Sequence, residues 1–302
     1  MSGLLLTGAN GQVGWEVARK AKARGLTLHA LDRAALDITD RNAVARMILR
    51  LAPEVVVNAA AHTAVDKAES EEDLAGAINR EGPAHLAEAC ADVDIPLIHL
   101  STDYVFDGTK NGPYLEDDPV APLGAYGRTK LAGEEAIRAT TDRHAILRTA
   151  WVHGLHGRNF VNTMLRLGRE QDVLRVVEDQ VGCPTFAGDL AQAILDLAPR
   201  LVAKTAGPEG FGTFHCAGQG ATSWHGFART LFQLARPWYG QGPKIKAIPT
   251  SAYPTPAKRP ANSILDGAKL ARIHGIRLRP WTEALEAMLA ERAKQTGEGS
   301  PP

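Results

Sequence analysis

A tyrosine and a lysine four positions apart, Tyr126 and Lys130, could together deliver a proton to a carbonyl oxygen. Residues at this spacing share one face of a helix, and we expect that helix to begin near Ala125. A phenol has a pKa of ~10 and is a poor acid at neutral pH, whereas a nearby ammonium favours the phenolate and lowers that pKa. The pair alone also suits an exposed helix surface, so it predicts acid catalysis only in combination with a cofactor site.

A hydroxyl that could polarise the same carbonyl lies at Thr102, directly after a predicted strand. Adjacent parallel strands bring their carboxyl ends to one cleft, and we therefore expect Thr102 to lie near Tyr126. The predicted catalytic residues are thus Thr102, Tyr126 and Lys130. Lys130 could also hold the ribose hydroxyls of a nicotinamide cofactor, and Tyr126 and Lys130 are therefore predicted cofactor contacts as well.

A glycine-rich loop near the N-terminus could hold the pyrophosphate of a nicotinamide dinucleotide. Gly8 would permit a tight turn after the first strand, Gly11 would let the backbone approach a phosphate, and Gly14 would allow close helix–strand packing. The helix that follows would offer free N–H groups and its positive dipole end. The first interval is one residue longer than in the usual Gly-x-Gly-x-x-Gly, but a predicted strand and helix flank the loop as required. Further predicted contacts in this loop are Asn10, Gln12 and Val13.

Two charged residues after the second predicted strand are compatible with either NADH or NADPH as the cofactor. Asp32 lies 18 residues beyond Gly14, close to the ~20 at which a carboxylate meets the adenosine ribose. Arg33 beside it could instead pair with a 2′-phosphate. Asp32 favours NADH and Arg33 favours NADPH, so the sequence supports either cofactor. Other predicted cofactor contacts are Asp37, Ile38, Ala60, Ala61, His62 and Thr63, of which His62 is interpreted as a hydrogen-bonded structural residue and not as a catalyst.

Alternating apolar and amphipathic segments predict how these groups are positioned. Short apolar runs at 4–7, 28–31, 55–58, 96–101 and 145–149 indicate buried parallel strands. Helical patterns lie between them, the second of which Thr39 or Asp40 could cap. This alternation predicts the α/β class, a doubly wound parallel sheet of the Rossmann type with ligands at the carboxyl ends of its strands.

The regular pattern weakens after Trp151, which predicts a smaller C-terminal α/β lobe that binds substrate. We assign 1–150 to a dinucleotide-binding domain and 151–296 mainly to that lobe, with parts of 174–220 returning to the first domain and 297–302 forming a disordered tail. The elements predicted here are a strand at 174–177, a helix at 188–197, a short strand around Phe214, an extended or looped proline-rich segment at 244–260 and a final helix at 283–294.

Composition narrows the class of protein. The 302 residues carry 34 basic and 34 acidic side chains, so no basic field exists to attract nucleic acid. The three cysteines are widely spaced without Cys-x-x-Cys, which favours a reducing compartment over disulfide or zinc frameworks. No apolar run approaches the ~20 residues of a membrane helix. We therefore expect a cytoplasmic protein without nucleic-acid or membrane partners.

Seven segments carry a family resemblance when they are taken in chain order. They are TGANGQVGWE at 7–16, NAAAHTAVDKAE at 58–69, STDYVFDG at 101–108, YGRTKLAGE at 126–134, RTAW at 148–151, DQVGCPT at 179–185 and YPTPAKRP at 253–260. In this order the chain resembles the extended short-chain dehydrogenase/reductases and, among them, the dTDP-4-dehydrorhamnose reductases. The resemblance runs from about residue 4 to residue 289.

The resemblance implies NADPH- or NADH-dependent reduction of the 4-keto group of dTDP-4-dehydro-L-rhamnose, the last step towards dTDP-L-rhamnose. It implies that Tyr126 is the proton donor, with Lys130 as its partner and Thr102 on the carbonyl. It also implies a set of substrate contacts. These are Asp103, Trp151 and Val65 at the sugar and Arg259, with Asn262 close behind, at the nucleotide. For Trp151, a position in the apolar core is the alternative.

Two positions depart from the family pattern. The family usually has Val-Tyr-Gly after the tryptophan, whereas this chain has His153 in the middle position, so the polarity near the sugar would differ. Some members dimerise around magnesium held by glutamates. Glu16 matches one such position. At another, the expected glutamate is not clearly present, and Asp189 is the nearest acid. The sequence thus makes a magnesium-bridged dimer doubtful, assigns no metal ligand and leaves a homodimer open.

Other functions share parts of this pattern. Dehydratases and epimerases of the superfamily keep the glycine loop and Tyr-x-x-x-Lys, but a dehydratase uses an Asp-Glu pair after the threonine. Here Tyr104 follows Asp103, which favours simple reduction. The remaining alternatives are a reductase of a different nucleotide-linked 4-keto-6-deoxysugar and a non-catalytic, nucleotide-binding regulatory subunit like the partner of methionine adenosyltransferase. The intact Thr102, Tyr126 and Lys130 favour catalysis over the latter.

Overall fold

A parallel sheet lies at the centre of the protein, whose computed structural model describes residues 3–203 and 207–296. The strands are Leu4–Thr7 (β1), Leu28–Leu31 (β2), Val55–Asn58 (β3), Leu97–Thr102 (β4), His144–Thr149 (β5), Val152–His153 (β6), Val173–Val177 (β7), Val181–Gly182 (β8), Thr185–Phe186 (β9), Gly212–His215 (β10), Thr222–Ser223 (β11), Lys244–Ile248 (β12) and Asn262–Ser263 (β13). The central sheet has six described strands in the order β10-β5-β4-β3-β1-β2, all paired in parallel. The predicted doubly wound parallel sheet is confirmed.

Helices cover both faces of this sheet. The α-helices are Gln12–Ala23 (α1), Arg41–Leu51 (α2), Val65–Ala68 (α3), Glu72–Gly76 (α4), Gly82–Asp92 (α5), Ala125–Thr140 (α6), Phe160–Glu170 (α7), Ala187–Val202 (α8), Trp224–Tyr239 (α9), Ala268–His274 (α10) and Trp281–Thr296 (α11). Asp40 caps α2 by accepting a hydrogen bond from the Ala43 backbone N–H at 2.9 Å, which is one of the two caps that the sequence suggests.

The apolar strands are buried on both sides because successive side chains point to opposite faces. Leu4 and Leu6 pack with Val17 of α1 and Ile194 of α8 on one face. Leu5 packs on the other face with residues of α2, α5 and α6, among them Ile48, Leu86 and Ile137. This burial explains why the first strands read as continuous apolar runs and not as alternating ones.

The C-terminal half divides between the central sheet and a second apolar cluster. β10, which lies within 174–220, pairs with β5 at the edge of the central sheet. β7 instead pairs in parallel with β12, outside the central sheet. The proline-rich segment begins as β12 and continues with a single 3₁₀ turn at Thr250–Ala252, where a loop is predicted.

The second cluster is rich in aromatic side chains from α7, α9 and α11, which pack against β7 and β9. The last helix spans Trp281–Thr296, slightly longer than predicted. The predicted tail at 297–302 lies outside the described residues. Within residues 3–203 and 207–296, no helix combines the length and the apolar character that crossing a membrane requires.

Candidate active site

The glycine loop connects β1 to α1 and has little room for side chains. Gly8 has φ 71°, a left-handed conformation that favours glycine. A Cβ atom there would lie 2.5 Å from the Ala60 backbone nitrogen, and a Cβ at Gly14 would lie 2.2 Å from the Gly8 carbonyl oxygen. Gly11 precedes α1 without a side-chain cap, which leaves the first N–H groups of that helix available to a phosphate.

A cleft of 530 Å³ opens beside this loop, at the carboxyl ends of β1, β2 and β3. The structure gathers most of the predicted cofactor residues around it, namely Gly8, Asn10, Gly11, Asp32, Arg33, Asp37, Ile38, Ala60, Ala61, His62 and Thr63. Val13 instead packs in the apolar core, and the Gln12 side chain accepts a hydrogen bond from Asn159 at 3.0 Å. Both side chains thus have partners within the protein, and their backbone N–H groups belong to the first turn of α1.

The His62 side chain lines the cleft but has protein partners. Its backbone N–H donates to the Asn79 side chain at 2.8 Å, and its ring Nε2 lies 3.3 Å from a Glu71 carboxylate oxygen. These contacts connect the segment around His62 to the segments that carry Glu71 and Asn79 at this wall of the cleft. We retain the interpretation that His62 is structural.

The charges at the ribose end differ in how firmly they are held. The Asp32 carboxylate accepts hydrogen bonds from Asn10 at 3.0 Å and from the Ala35 backbone at 3.0 Å. The Arg33 side chain is 73% exposed and lies 3.5 Å from Asp37. Asp32 is thus positioned in the free protein, whereas Arg33 can turn towards an added phosphate.

We expect Arg33→Ala to raise the KM for NADPH about tenfold with little change for NADH, since it removes a charge-assisted hydrogen bond to the 2′-phosphate. Asp32→Ala should instead raise the KM for NADH. Steady-state kinetics with both cofactors measure the two ratios, and each variant serves as the control for the other. If both variants weakened both cofactors equally, the assignment of these two side chains to the adenosine ribose would be wrong.

The three predicted catalytic residues come together at the end of β4. Thr102 is the last residue of β4, and α6 begins at Ala125, as predicted. The Thr102 hydroxyl lies close enough to the Tyr126 phenol to lower its pKa. The first turn of α6 is fixed from outside the helix, because the Ala125 N–H donates to the Glu69 carboxylate at 2.8 Å.

The electrostatics of the tyrosine differ from expectation. Burial raises the pKa of Tyr126 to about 12, a hydrogen bond with Thr102 partly offsets this, and the charge of Asp103 raises the pKa further. The predicted lowering by Lys130 is wrong for the free protein. The amine of Lys130 donates instead to the Leu100 carbonyl at 2.6 Å, and burial lowers its own pKa to about 8, against the opposing charge of Glu134.

The residues that the resemblance places at the substrate are distributed around this centre. Asp103 is buried beside Thr102, whose hydroxyl donates to it at 3.0 Å. Burial raises the Asp103 pKa to about 6, although hydrogen bonds from Ser263 and Thr102 lower it in part. Trp151 is half-buried with a left-handed φ of 49°, and Val65 begins α3.

Trp151 stacks on another tryptophan. Its ring lies 3.5 Å from that of Trp224, nearly parallel to it, and a Cβ at Gly182 would lie 2.6 Å from the Trp151 ring. Trp224, which sequence reasoning missed, in turn lines a cavity of 540 Å³ together with Tyr253 and Arg259. The stack therefore connects the predicted sugar contact to the wall of this cavity.

Arg259 and Asn262 have different surroundings. Arg259 pairs with Asp66 at 2.8 Å and lines the cavity. Asn262 is buried, and its amide donates to the carbonyls of Lys110 at 2.7 Å and Gly112 at 2.8 Å. Two loop carbonyls thus occupy the donors of Asn262, and its place near the nucleotide stays a prediction.

The acids considered for magnesium are neutralised by arginines. The Glu16 carboxylate accepts from Arg19 at 2.7 Å, and Arg19 also contacts Glu291 at 2.7 Å. Asp189 pairs with Arg279. No group of three potential metal ligands occurs within the described part of the chain.

The comparisons with known proteins agree on one family. A family model described as the RmlD substrate binding domain matches residues 1–294. A dTDP-4-dehydrorhamnose reductase of Sinorhizobium fredii is 46% identical over 287 residues, 95% of this chain and 96% of its own length. A solved reductase of the same name from Clostridium acetobutylicum is 41% identical, with a TM-score of 0.88 over 95% of this chain and 98% of its own. Another, from Bacillus anthracis in complex with NADP, is 34% identical, with a TM-score of 0.89 over 96% and 99%.

Proposed function

The chain belongs to the RmlD substrate binding domain family, and on that basis we propose that it reduces the 4-keto group of dTDP-4-dehydro-L-rhamnose to give dTDP-L-rhamnose with NADPH or NADH. The observation that carries this proposal is the approach of Tyr126, in the first turn of α6, to Thr102 at the end of β4. This pair lies on the sheet edge onto which the glycine loop also opens. Similar proteins over nearly the full length carry the reductase name.

The residues of the cleft fit a dinucleotide because the glycine loop excludes side chains where backbone must approach phosphate. When bound, the reduced nicotinamide supplies a hydride to the ketone carbon. Tyr126 donates its phenolic proton to the ketone oxygen. The Thr102 hydroxyl, which donates to Asp103 in the free protein, turns to donate its hydrogen bond to the same oxygen. The pKa of Tyr126, about 12, keeps the phenol protonated at neutral pH until that oxygen gains charge.

The cavity beside Trp224 is the proposed site of the nucleotide portion. Its lining combines apolar side chains with Arg259, a combination that suits a base or sugar together with a charged group. The hydrogen bond and charge of Arg259 hold the pKa of Asp66 low, against burial. This anchored guanidinium can meet a diphosphate without losing its position.

We expect Arg259→Met to raise the KM for the nucleotide sugar by about 10- to 100-fold, because a charge-assisted hydrogen bond is worth roughly 1.5–3 kcal/mol. The dissociation constant of the cofactor should stay the same. Arg46→Met on the exposed surface of α2 is the matched control and should change neither quantity. An unchanged KM in Arg259→Met would remove this arginine from the substrate site.

The deciding experiment is the loss of nicotinamide absorbance when purified protein meets either cofactor and enzymatically prepared dTDP-4-dehydro-L-rhamnose. Turnover with this sugar supports the proposal. Cofactor binding without turnover would favour the non-catalytic regulatory subunit. Turnover only with another nucleotide-linked 4-keto-6-deoxysugar would make that sugar the substrate. A cytoplasmic location is proposed on the three buried, free cysteines, and sizing in solution tests the homodimer.

A further inference from the structure

A chain of buried polar side chains leads from the end of β1 to the catalytic lysine. The Thr7 hydroxyl donates to Asn58 Oδ1 at 2.7 Å. Asn58 Nδ2 lies 3.0 Å from His99 Nδ1, and His99 Nε2 lies 3.1 Å from Lys130 Nζ. All four side chains are buried. The proposed reaction uses the hydroxyls of Thr102 and Tyr126, but it gives no role to Asn58 or His99.

One backbone group sets the direction of these hydrogen bonds. The Ala60 N–H lies 3.1 Å from Asn58 Oδ1 and can only donate. The Asn58 oxygen is therefore an acceptor, and its NH₂ group must face His99 as a donor. His99 Nδ1 then has to accept, so a neutral His99 carries its hydrogen on Nε2. Burial holds the pKa of His99 well below its usual value, which keeps the ring neutral.

The Nε2–H of His99 points at Lys130, and an ammonium has no lone pair with which to accept it. We propose that His99 is a positioning residue of the active site: in the free protein its Nε2–H donates to Lys130 Nζ and holds the lysine as an uncharged amine. One amine hydrogen then donates to the Leu100 carbonyl, and the other is left for the cofactor. This inference rests on the proposed function, because it assigns a role within that reaction.

The other charged and titratable groups nearby do not reverse this arrangement. Glu134, one turn along α6, is the acid whose charge favours a protonated Lys130, but it pairs with Arg148 at 2.7 Å and with Arg138 at 3.1 Å. Burial lowers the pKa of His144 on the adjacent strand. An uncharged Lys130 does not draw the proton from Tyr126, so the phenol keeps it until the substrate oxygen takes it.

The first test needs no variant. Nitrogen-15 NMR of the free wild-type protein near pH 7 distinguishes the two neutral tautomers of His99, whose signals are assigned by their loss in His99→Phe. We expect a protonated Nε2 and an unprotonated Nδ1. A protonated Nδ1 would overturn the inference, because Nε2 would then accept a hydrogen bond from an ammonium.

The second test is a pH titration of Lys130, monitored by the carbon-13 chemical shift of its Cε atom. The signal of this atom is assigned by its loss in Lys130→Met. We expect a midpoint below neutral pH, because the hydrogen bond from His99 adds to the burial that by itself lowers the pKa of Lys130 to about 8. His99→Phe should raise the midpoint by roughly one pH unit, since it removes a hydrogen bond made only to the neutral amine. The basic limb of the pH–rate profile should move with it. His144→Phe, a matched loss of a buried ring on the neighbouring strand, should leave it unchanged.

A lower or unchanged midpoint in His99→Phe would overturn the inference. If that variant does not fold, the tautomer in the wild-type protein still decides. The two proposals fail separately. Wild-type protein with the expected tautomer but without turnover contradicts the reductase, whereas an active enzyme with a protonated Nδ1 contradicts only the role of His99.

Discussion

Tyr126→Phe should lower kcat by about 10²- to 10⁴-fold, the usual contribution of a positioned general acid. The change removes the phenolic proton and keeps the ring, so packing around α6 is preserved. We expect the dissociation constant of the cofactor to change by less than about twofold, because the glycine loop and the cleft are untouched. Absorbance assays measure kcat, and quenching of tryptophan fluorescence measures cofactor binding.

Tyr104→Phe is the matched control for this experiment. Its ring lies edge-on to that of Tyr126, with centroids 5.4 Å apart, and burial raises its pKa as well. It should lose far less activity, since the hydroxyl of Tyr104 donates no proton in the proposed reaction. Wild-type turnover in Tyr126→Phe, or an equal loss in Tyr104→Phe, would contradict the assignment of Tyr126 as the proton donor.

Arg148→Met should lower the free energy of unfolding by about 3–5 kcal/mol, because it leaves the Glu134 carboxylate buried without its main partner. Arg148 donates to both oxygens of Glu134, at 3.0 and 2.7 Å, and the two side chains are 3% and 0% exposed. Urea unfolding measures the loss. The pair lies between β5 and α6, so the variant should also lose some activity through the position of α6.

Two further variants separate the buried pair from the surface. Arg138 also pairs with Glu134 but is 36% exposed, and Arg138→Met should cost at most about 1 kcal/mol. The double variant Arg148→Met with Glu134→Leu should regain much of the lost stability, because no buried charge is left unpaired. If the double variant were no more stable than Arg148→Met, the cost would come from packing and not from the charge.

The same pair makes stability depend on acid. Burial raises the pKa of Glu134, but the hydrogen bond and charge of Arg148, with help from Ser101 and Arg138, outweigh it and hold the pKa below its usual value. A lowered carboxyl pKa stabilises the fold fully above the ordinary Glu value of ~4.3 and loses this contribution as the pH falls through the lower folded value. The difference between wild type and the double variant should therefore shrink on acidification.

The central sheet and the glycine loop could be predicted because their signals are local. The apolar runs at β1, β2 and β3 coincide with the strands, and α6 begins where the Tyr126–Lys130 spacing needs it. Some strands end at a slightly different residue from the one predicted, because hydrogen bonding to the neighbouring strand continues. Thr102, for example, is the last residue of β4 and pairs with Thr149. Such differences are expected, since a pattern of side chains does not show where a ladder ends.

The second apolar cluster was harder to predict. β7 is interrupted by the exposed Arg175, and it pairs with β12, in which Lys244 and Lys246 alternate with apolar residues. Such alternation indicates strands with one exposed face, but it does not show which strands pair with each other, because pairing depends on how the intervening helices pack. The partner of Trp151 was missed for the same reason, since Trp224 lies in a different element.

The amino-acid sequence by itself determined the parallel sheet, the loop for a dinucleotide and the spacing of the acid and its lysine, because these follow from periodicity, glycine geometry and helical turns within short stretches. Only the tertiary structure decided that Lys130 contacts His99, that Arg148 contacts Glu134 and that Asn262 donates to loop carbonyls. Each of these contacts joins residues from separate segments. The protonation of the site and much of its stability therefore depend on burial and pairing that exist only in the folded chain.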